Sequence, residues 1–561
     1  MQIKPLYKNT DYVTISDYLA KCGVVNTQKW LSHKALEKSS DYDNIDEWCE
    51  KLNYAINEKE KFYLLVDSDL DGYFSSSMFY IYCKHINPNV NIIPIFHTEK
   101  QHGIDKDNLK YLKSQEPSIL VVLDAGTNDI KQDKKLTELG WQILCADHHK
   151  QEKKINSYCL LVNNQVSNKV VNKGLSGTGV AWKICKRYDE LYGYNFSKKL
   201  ISYVAIANIG DGMSFTFAEN ETFRHWGMLS IYKVLKPFVA NLNRNDETDN
   251  KAFSFGLITN INSLIRLGTQ EDKVELFKAL CGEIDSAETI EKCKKLHNKQ
   301  SSETKRLLEH SVEIIDNNKF VIARILEKTT LTGLVANKMM SIYEKPIFLT
   351  HSRDNGELAG SVRSPFEIKD LLPQELFNYN QGHNCAFGTS YQKENEQALI
   401  KTLNSLDIPS EPLQVVFIST TTKDIPNYLY DFIDDYRAYF GTDIPIPRIH
   451  IKPFSLYNDE IQVLGATQRT IKFRRNGIDF ILFNCSNKLK EQLKLNSQQK
   501  QMVTLEFIGE PCYNEFRGQR NKQFIIDSNN IEISYNKKSF EDLMYSLIPT
   551  GKPVGLRNNP K

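Results

Sequence analysis

The chain has 561 residues, 41% apolar and 25% charged, with 71 Lys and Arg against 69 Asp and Glu for a formal net charge of +2. Such a length exceeds a single hydrophobic core and predicts roughly three or four domains, while the charge balance excludes a polycation without excluding a local basic groove. No apolar stretch is long enough to span a bilayer, Met1–Tyr7 lacks a signal-peptide core, and eleven cysteines without a CxxC pair predict reduced thiols in the cytoplasm.

Residues 1–60 read as a helical lead-in that packs through Trp30, Leu31, Trp48 and Leu52. Over 61–233, three short apolar runs, Phe62–Val66, Ile119–Leu123 and Trp141–Ala146, alternate with helical segments. Runs of that kind are strands of a parallel sheet buried on both faces. Each is followed by a polar signal: Asp67-Ser-Asp69-Leu-Asp71-Gly72, Asp124-Ala-Gly126 and Asp147-His148-His149. A fourth signal, Asp211-Gly212, follows an apolar helix. Functional groups on such sheets collect at the carboxyl ends of the strands. Carboxylates converging there with a histidine repel one another unless cations neutralise them, so the set reads as a two-metal site for phosphate chemistry.

Within that set, Asp67, Asp69 and Asp71 stand at i, i+2 and i+4, which an extended strand places on one face before Gly72 turns the chain. Asp124 in isolation would read as a helix cap, and only its place one β/α unit later makes it a ligand candidate. Ser176-Gly177-Thr178-Gly179 precedes a helix over Val180–Tyr188 and reads equally as a phosphate cradle or a capping turn.

The stretch 234–318 reads as a helical connector whose last helix, from Ile290 through His310, has mixed charge and few apolar residues. Over 319–410, Phe320–Ile325 and Lys345–Leu349 read as strands and Leu331–Met340 as a helix. Gly360-Ser361-Val-Arg363-Ser364 follows, offering a guanidinium that can take a phosphate through two parallel bonds and two hydroxyls as neutral donors. Over 411–561, alternating segments at Ile471–Arg475, Phe480–Phe483, Met502–Ile508 and Gln523–Ile526 predict a small β-barrel. Arg469, Lys472, Arg474, Arg475, Arg517, Arg520 and Lys522 interleave there with Phe473, Tyr513, Phe516 and Phe524. That mixture suits a single-stranded nucleic acid, and equally any half-solvated barrel.

These motifs resemble those of the DHH phosphoesterase superfamily, whose name-giving triplet stands here as Asp147-His148-His149. Within it they resemble most the RecJ-like single-strand-specific exonucleases, with their Asp-x-Asp-x-Asp-Gly motif and the stretch matched by Leu175-Ser-Gly177-Thr-Gly179-Val-Ala181. Ala205 to Asp211, ahead of Glu219-Asn220-Glu221, keeps the acid of a fourth motif while its surroundings have drifted. Gly360–Ser364 and Gln381-Gly382-His383 resemble the signatures of the DHHA1 domain, with Gln381 in place of a glycine. The likeness runs from about Phe62 to Asp527.

The resemblance implies an α/β chain: a parallel-sheet DHH catalytic domain (61–233), a long connecting helix (234–318), an α/β DHHA1 substrate-binding domain (319–410) and an OB-like β-barrel (411–561). It makes His148 a metal ligand and places Asp67 and Asp69 on one divalent cation, Asp71 and Asp211 towards a second, and Asp124 between the two ions, at the roughly 3.5–4 Å spacing of two-metal hydrolases. Asp147 would orient His148 or contact a metal itself, and His149 would contact phosphate or protonate the leaving oxygen. Ser361, Arg363, Ser364, Gly382 and His383 would bind the phosphate from the facing lobe. Mn²⁺ is the first expectation for the ions and Mg²⁺ the second. The implied activity is 5′-to-3′ release of mononucleotides from single-stranded DNA in repair, recombination or replication. The implied protein is a monomer, with a single-strand-binding protein or helicase as partner and no membrane. Two alternatives stand beside it. One is a phosphodiesterase acting on short oligoribonucleotides, cyclic dinucleotides or pyrophosphate, which the long C-terminal region disfavours. The other is a non-catalytic replication scaffold, which the full set of acids disfavours.

Overall fold

Five short runs of Val, Leu, Ile and aromatic residues build the first sheet: β1 (Phe62–Val66), β2 (Ile92–Phe96), β3 (Ile119–Leu123), β4 (Gln142–Asp147) and β5 (Leu160–Asn163). All are parallel, in the order β2-β1-β3-β4-β5. This is a computed structural model, and it describes residues 2–58, 61–98, 100–152, 154–243, 249–408, 413–516 and 518–535, without the side chains of 383 and 516. β1 and β3 are buried at every position because helices cover both faces, which is why their runs are continuous rather than alternating. On one face Tyr63, Leu65, Leu120, Val122 and Ile143 pack against Leu112 and Leu136 of the helices Lys106–Lys113 and Ile130–Thr137.

Ahead of the sheet lies α1 (Ile45–Asn57), with Trp48 and Leu52 buried. The other face carries α2 (Leu70–Ile86) and α3 (Gly177–Tyr192). Ser75, Ser76 and Ser77 of α2 are as buried as its Phe74 and Phe79, the all-round burial of a central helix. α4 (Ile201–Gly210), α5 (Ala218–Leu229), α6 (Thr259–Leu267), α7 (Gln270–Cys281) and α8 (Ala287–His310) follow. The 24 residues of α8 extend about 36 Å.

Beyond α8 a second sheet comprises β6 (Val312–Asn317), β7 (Val321–Ile325), β8 (Ile347–Ser352), β9 (Glu357–Arg363), β10 (Tyr379–His383) and β11 (Ala386–Gln392), in the order β10-β11-β9-β8-β7-β6. Only β7 and β8 pair in parallel, through the crossover helix α9 (Thr332–Tyr343). The strand expected from Lys345 begins at Ile347, because Pro346 has no N–H to give the ladder. The expected all-helical connector therefore ends in a strand, β6.

These elements belong to one compact unit, 13–410 with 437–445, and the second unit comprises 1–12, 411–436 and 446–561. The first residues thus depart from a purely helical lead-in: Ile3–Pro5 form a strand beside Gln414–Val416 within the second unit. Its main sheet has β12 (Ile418–Thr420), β13 (Ile449–Tyr457), β14 (Gln462–Leu464), β15 (Thr470–Arg475), β16 (Ile478–Leu482), β17 (Met502–Phe516) and β18 (Gln519–Ser534). The order is β12-β13-β17-β18-β16-β15-β14. Asn476 and Gly477, both at positive φ, make the two-residue hairpin between β15 and β16.

Phe473, Phe480, Phe507 and Phe524 pack centroid to centroid at 5.1–6.3 Å in this unit. Phe473 and Phe524 are therefore core residues and offer no face to a base. Several of the basic side chains expected to follow phosphates instead meet acids: Lys472 with Asp479 at 2.8 Å, Arg475 with Glu460 at 2.6 Å, and Arg520 with Asp434. Arg517 and the Phe516 side chain lie outside the described residues. Among the described residues no helix is long and apolar enough to cross a membrane.

Candidate metal centre

At the carboxyl edge of the parallel sheet the segments leaving β1, β3 and β4 bring their acids together. Asp67 leaves β1 fully buried, accepting from His102 Nδ1 at 2.6 Å and from the Gly103 amide at 3.0 Å. His97 Nε2 stands 3.6 Å from it and is held on its other side by Asp105, 2.7 Å from Nδ1. Burial alone would raise the Asp67 carboxyl, but His102 and His97 outweigh it and lower it. Asp69 caps α2, accepting from the Gly72 amide at 3.1 Å.

Asp71 is not on one face with the other two, because α2 begins at Leu70 and ends the extended segment. Its carboxylate accepts from the amides of Gly177 and Thr178 at 2.7 and 2.8 Å. Those are the free N–H groups at the start of α3, so the Ser-Gly-Thr-Gly turn is occupied by an acid of the chain itself rather than open to phosphate. Ser176 caps the helix, accepting from Gly179 at 3.3 Å. Burial, then Asp211, pushes the Asp71 carboxyl up to about 7.

Asp124 follows β3 in the left-handed region, at φ 65°. Its Oδ1 is buried and among the described residues accepts no hydrogen bond, although His148 Nε2 lies 3.2 Å away. Burial first, and the charges of Asp71, Asp69, Asp67 and Asp211 next, raise its carboxyl well above the carboxylate range. Gly177 is required beside it: a Cβ there would meet Asp124 Oδ1 at 2.3 Å. Asp211, at the end of α4, lies 3.6 Å from His148 Nε2, and Asp71 lies 4.0 Å from the same atom.

Asp147 ends β4 and is saturated by the chain. It accepts from the amides of His148 at 2.7 Å, His149 at 3.1 Å and Thr127 at 3.0 Å, and lies 2.8 Å from His149 Nδ1. Burial opposes its ionisation, yet the facing His149 prevails and lowers it. Reciprocally, burial would lower His149, but Asp147 pushes it up to about 10.

From the second sheet Arg363 ends β9, with Nη1 donating to the Val362 carbonyl at 2.7 Å and Nη2 where a Cβ on Gly333 would stand 2.5 Å away. Burial, then Arg266, pushes it down to about 10. Desolvation, then Arg266, lowers Lys100 to about 8 even though its side chain is exposed, while Asp69 opposes the change. Lys100, Arg266 and Arg363 thus act on one another through their charges, and Asp69 acts on Lys100 and Arg266. Ser361 shares a hydrogen bond with Thr332 at 2.9 Å. Ser364 donates to the Phe366 carbonyl at 2.5 Å, which ties it to its own loop rather than to a ligand. Gly382, at φ 130°, lies against Phe387 in the β10–β11 hairpin, and its carbonyl accepts from Lys369 at 2.7 Å. The His383 side chain lies outside the described residues.

Sequence reasoning missed His97, Lys100, His102, Asp105 and Arg266. The first four follow β2, a strand with Pro94 inside it, and Arg266 is a single cation near the end of α6.

Among the described residues, four groupings have donor atoms within 4.8 Å of one another, and two with the chemistry of a hard-cation site are Asp124, Asp147, His148 and His149, and Asp71, His148 and Asp211. Asp67, Asp69 and His102 form a third. A buried carboxylate oxygen without a donor, among acids that disfavour one another's ionisation, fits divalent cations.

Comparison with known proteins adds that residues 61–208 match the DHH family, N-terminal domain, and 420–528 the RecJ OB domain. A protein of Bacillus subtilis (strain 168), provisionally named SPbeta prophage-derived single-strand DNA-specific exonuclease YorK, is 28% identical over 531 residues, 87% of this chain and 90% of that one. The single-stranded-DNA-specific exonuclease RecJ of the same organism is 21% identical over 509 residues, 86% of this chain and 63% of that longer one. The crystal structure of RecJ in complex with Mn²⁺ from Thermus thermophilus has the same fold, with TM-score 0.71 at 16% identity over 95% of this chain and 78% of that one.

Proposed function

We infer, for this RecJ-like member of the DHH phosphoesterase superfamily, that it is a metal-dependent exonuclease that degrades single-stranded DNA from the 5′ end to mononucleotides. The observation that carries the reading is the buried Asp124 Oδ1, which among the described residues has no hydrogen-bond partner although His148 Nε2 stands 3.2 Å away. Asp67, Asp69, Asp71, Asp124, His148 and Asp211 would hold two divalent cations, Mn²⁺ or Mg²⁺. Bound, they would acidify a water for attack and neutralise charge gathering on the phosphate.

The chain's own residues do the rest. Arg363, Arg266 and Lys100 hold the phosphates of the strand and orient the scissile one towards the acids. Asp147 fixes the His148 and His149 backbones and holds the proton on His149 Nδ1, so that Nε2 faces the reacting group. His149, cationic at neutral pH, stabilises the leaving oxygen and gives it a proton. His97, anchored by Asp105, and His102 fix Asp67 in one rotamer.

The test is degradation of single strands labelled at either end in Mn²⁺, with blunt duplex and RNA in parallel. Mononucleotides released from the 5′ end of single-stranded DNA alone are expected. Hydrolysis of a small phosphodiester or pyrophosphate, with no action on strands, would overturn the reading.

A further inference from the structure

The far end of α2 from Asp69 opens on a groove with no part in the metal centre. Its volume is about 500 Å³, and its lining includes His85, Phe196, Lys199, Tyr232, Lys233 and Lys236. Helix α2 has 17 residues, so His85 lies about 24 Å along the axis from the capping Asp69. Phe196 is buried and forms the floor, with the exposed His85 ring stacked on it at 3.7 Å and 14°. Lys199 Nζ stands 5.4 Å from the centre of the same ring. Lys199, Lys233 and Lys236 are all exposed. Among the described residues none of the three has a carboxylate partner within ion-pair distance. The acid nearest in effect is Asp189, which raises His85 slightly against the lowering by burial and Lys199. Its carboxylate is buried and taken by Tyr82 and the Phe196 and Ser197 amides.

Three unneutralised ammonium groups around an aromatic floor make a concave positive site whose field is strengthened by its walls. The complementary chemistry is phosphate attached to a flat ring, with charges taken by the lysines and the ring lying on the His85–Phe196 stack. We propose that this groove binds nucleotide units, as a second site separate from the metal centre. Free nucleotides and a segment of single-stranded DNA share that chemistry.

The two sources separate in one experiment on the full-length Asp124→Asn protein, whose loss of hydrolysis permits equilibrium binding. The probes are a fluorescent 2′-deoxyadenosine 5′-monophosphate and labelled oligothymidylates, short and long, each titrated across a salt series. The Lys199→Glu/Lys236→Glu pair should weaken binding at least about tenfold and make the salt slope shallower by about 1.4, at roughly 0.7 per lost phosphate contact on a single strand. A loss with the mononucleotide identifies free nucleotide as the occupant, and a loss confined to the long strand identifies a DNA segment. His85→Ala should weaken binding with the salt slope unchanged, since it removes a ring and leaves the lysines. Unchanged affinity and slope for every probe would overturn the proposal. With Asp124 intact, the paired variant should cleave short single strands at the unaltered rate, so a failure here is distinct from a failure of the nuclease reading.

Discussion

At the scale of single residues, Asp147 is the anchor around which the triplet is built, since three amides and a ring nitrogen converge on it. Asp147→Asn removes the charge that keeps His149 protonated and turns one acceptor into a donor facing N–H groups. Such a change should leave the fold intact and raise the Mn²⁺ concentration for half-maximal activity about 10–100-fold. An unchanged Mn²⁺ titration would remove Asp147 from this role. Gly177 is the second sensitive position, because a Cβ there reaches both Asp124 Oδ1 and, at 2.7 Å, Asp124 Cα. Mn²⁺ should raise the melting temperature of the wild-type protein, and Gly177→Ala should abolish that rise. The acids were legible in the sequence because each follows a buried run. The partnership of Asp71 with α3 was not, since it spans 106 positions and depends on which side of the cap α2 begins.

Among elements, the clearest pH-sensitive contact joins the lead-in to α5. His33 stacks on His225 at 3.8 Å and 5°, with Glu221 3.4 Å from His33 Nδ1, Arg224 paired to Glu221, and Tyr439 3.4 Å from His33 Nε2. Burial, then His225 and Arg224, pushes His33 down to about 4, and His225 is lowered too. An unfolded imidazole takes its proton near 6.5, so between about 6.5 and 4 the unfolded chain binds more protons than the folded one. Stability is whole above that window and falls as pH drops through it. Thermal unfolding from pH 7 to pH 4.5 should show this decline, and His33→Gln should flatten it. Strand β2 shows why part of the site escaped a reading by pattern. Pro94 interrupts its apolar run, yet β2 lies at the sheet edge, where a missing N–H leaves no ladder bond unmade. With the strand unread, the loop carrying His97, Lys100 and His102 had no frame.

The whole molecule has two units with separate cores, and its stability is accordingly not one number. Phe480, in the ring cluster of the second unit, is fully buried. Phe480→Ala should cost that unit about 3–5 kcal/mol and split the calorimetric trace. The transition that Mn²⁺ raises should remain in place, and its loss would mean that the two cores unfold as one. The formal charge of +2 and pI of about 7.8 suggest an electrically bland protein. Helix α2 shows otherwise. It opens at Asp69 and Asp71 and closes at Lys84 and His85, opposite signs at the ends where the summed peptide dipoles favour each. The positive pole of the helix therefore helps acids that burial would neutralise to keep the charge a cation needs, and its negative pole steadies the cationic end. Across the roughly 24 Å between Asp69 and His85, two unit charges interact by less than about 1 kcal/mol at an effective dielectric of about 20 or more. Each pole consequently meets its own ligand as if the other were absent, and the near-zero total is a cancellation no ligand experiences.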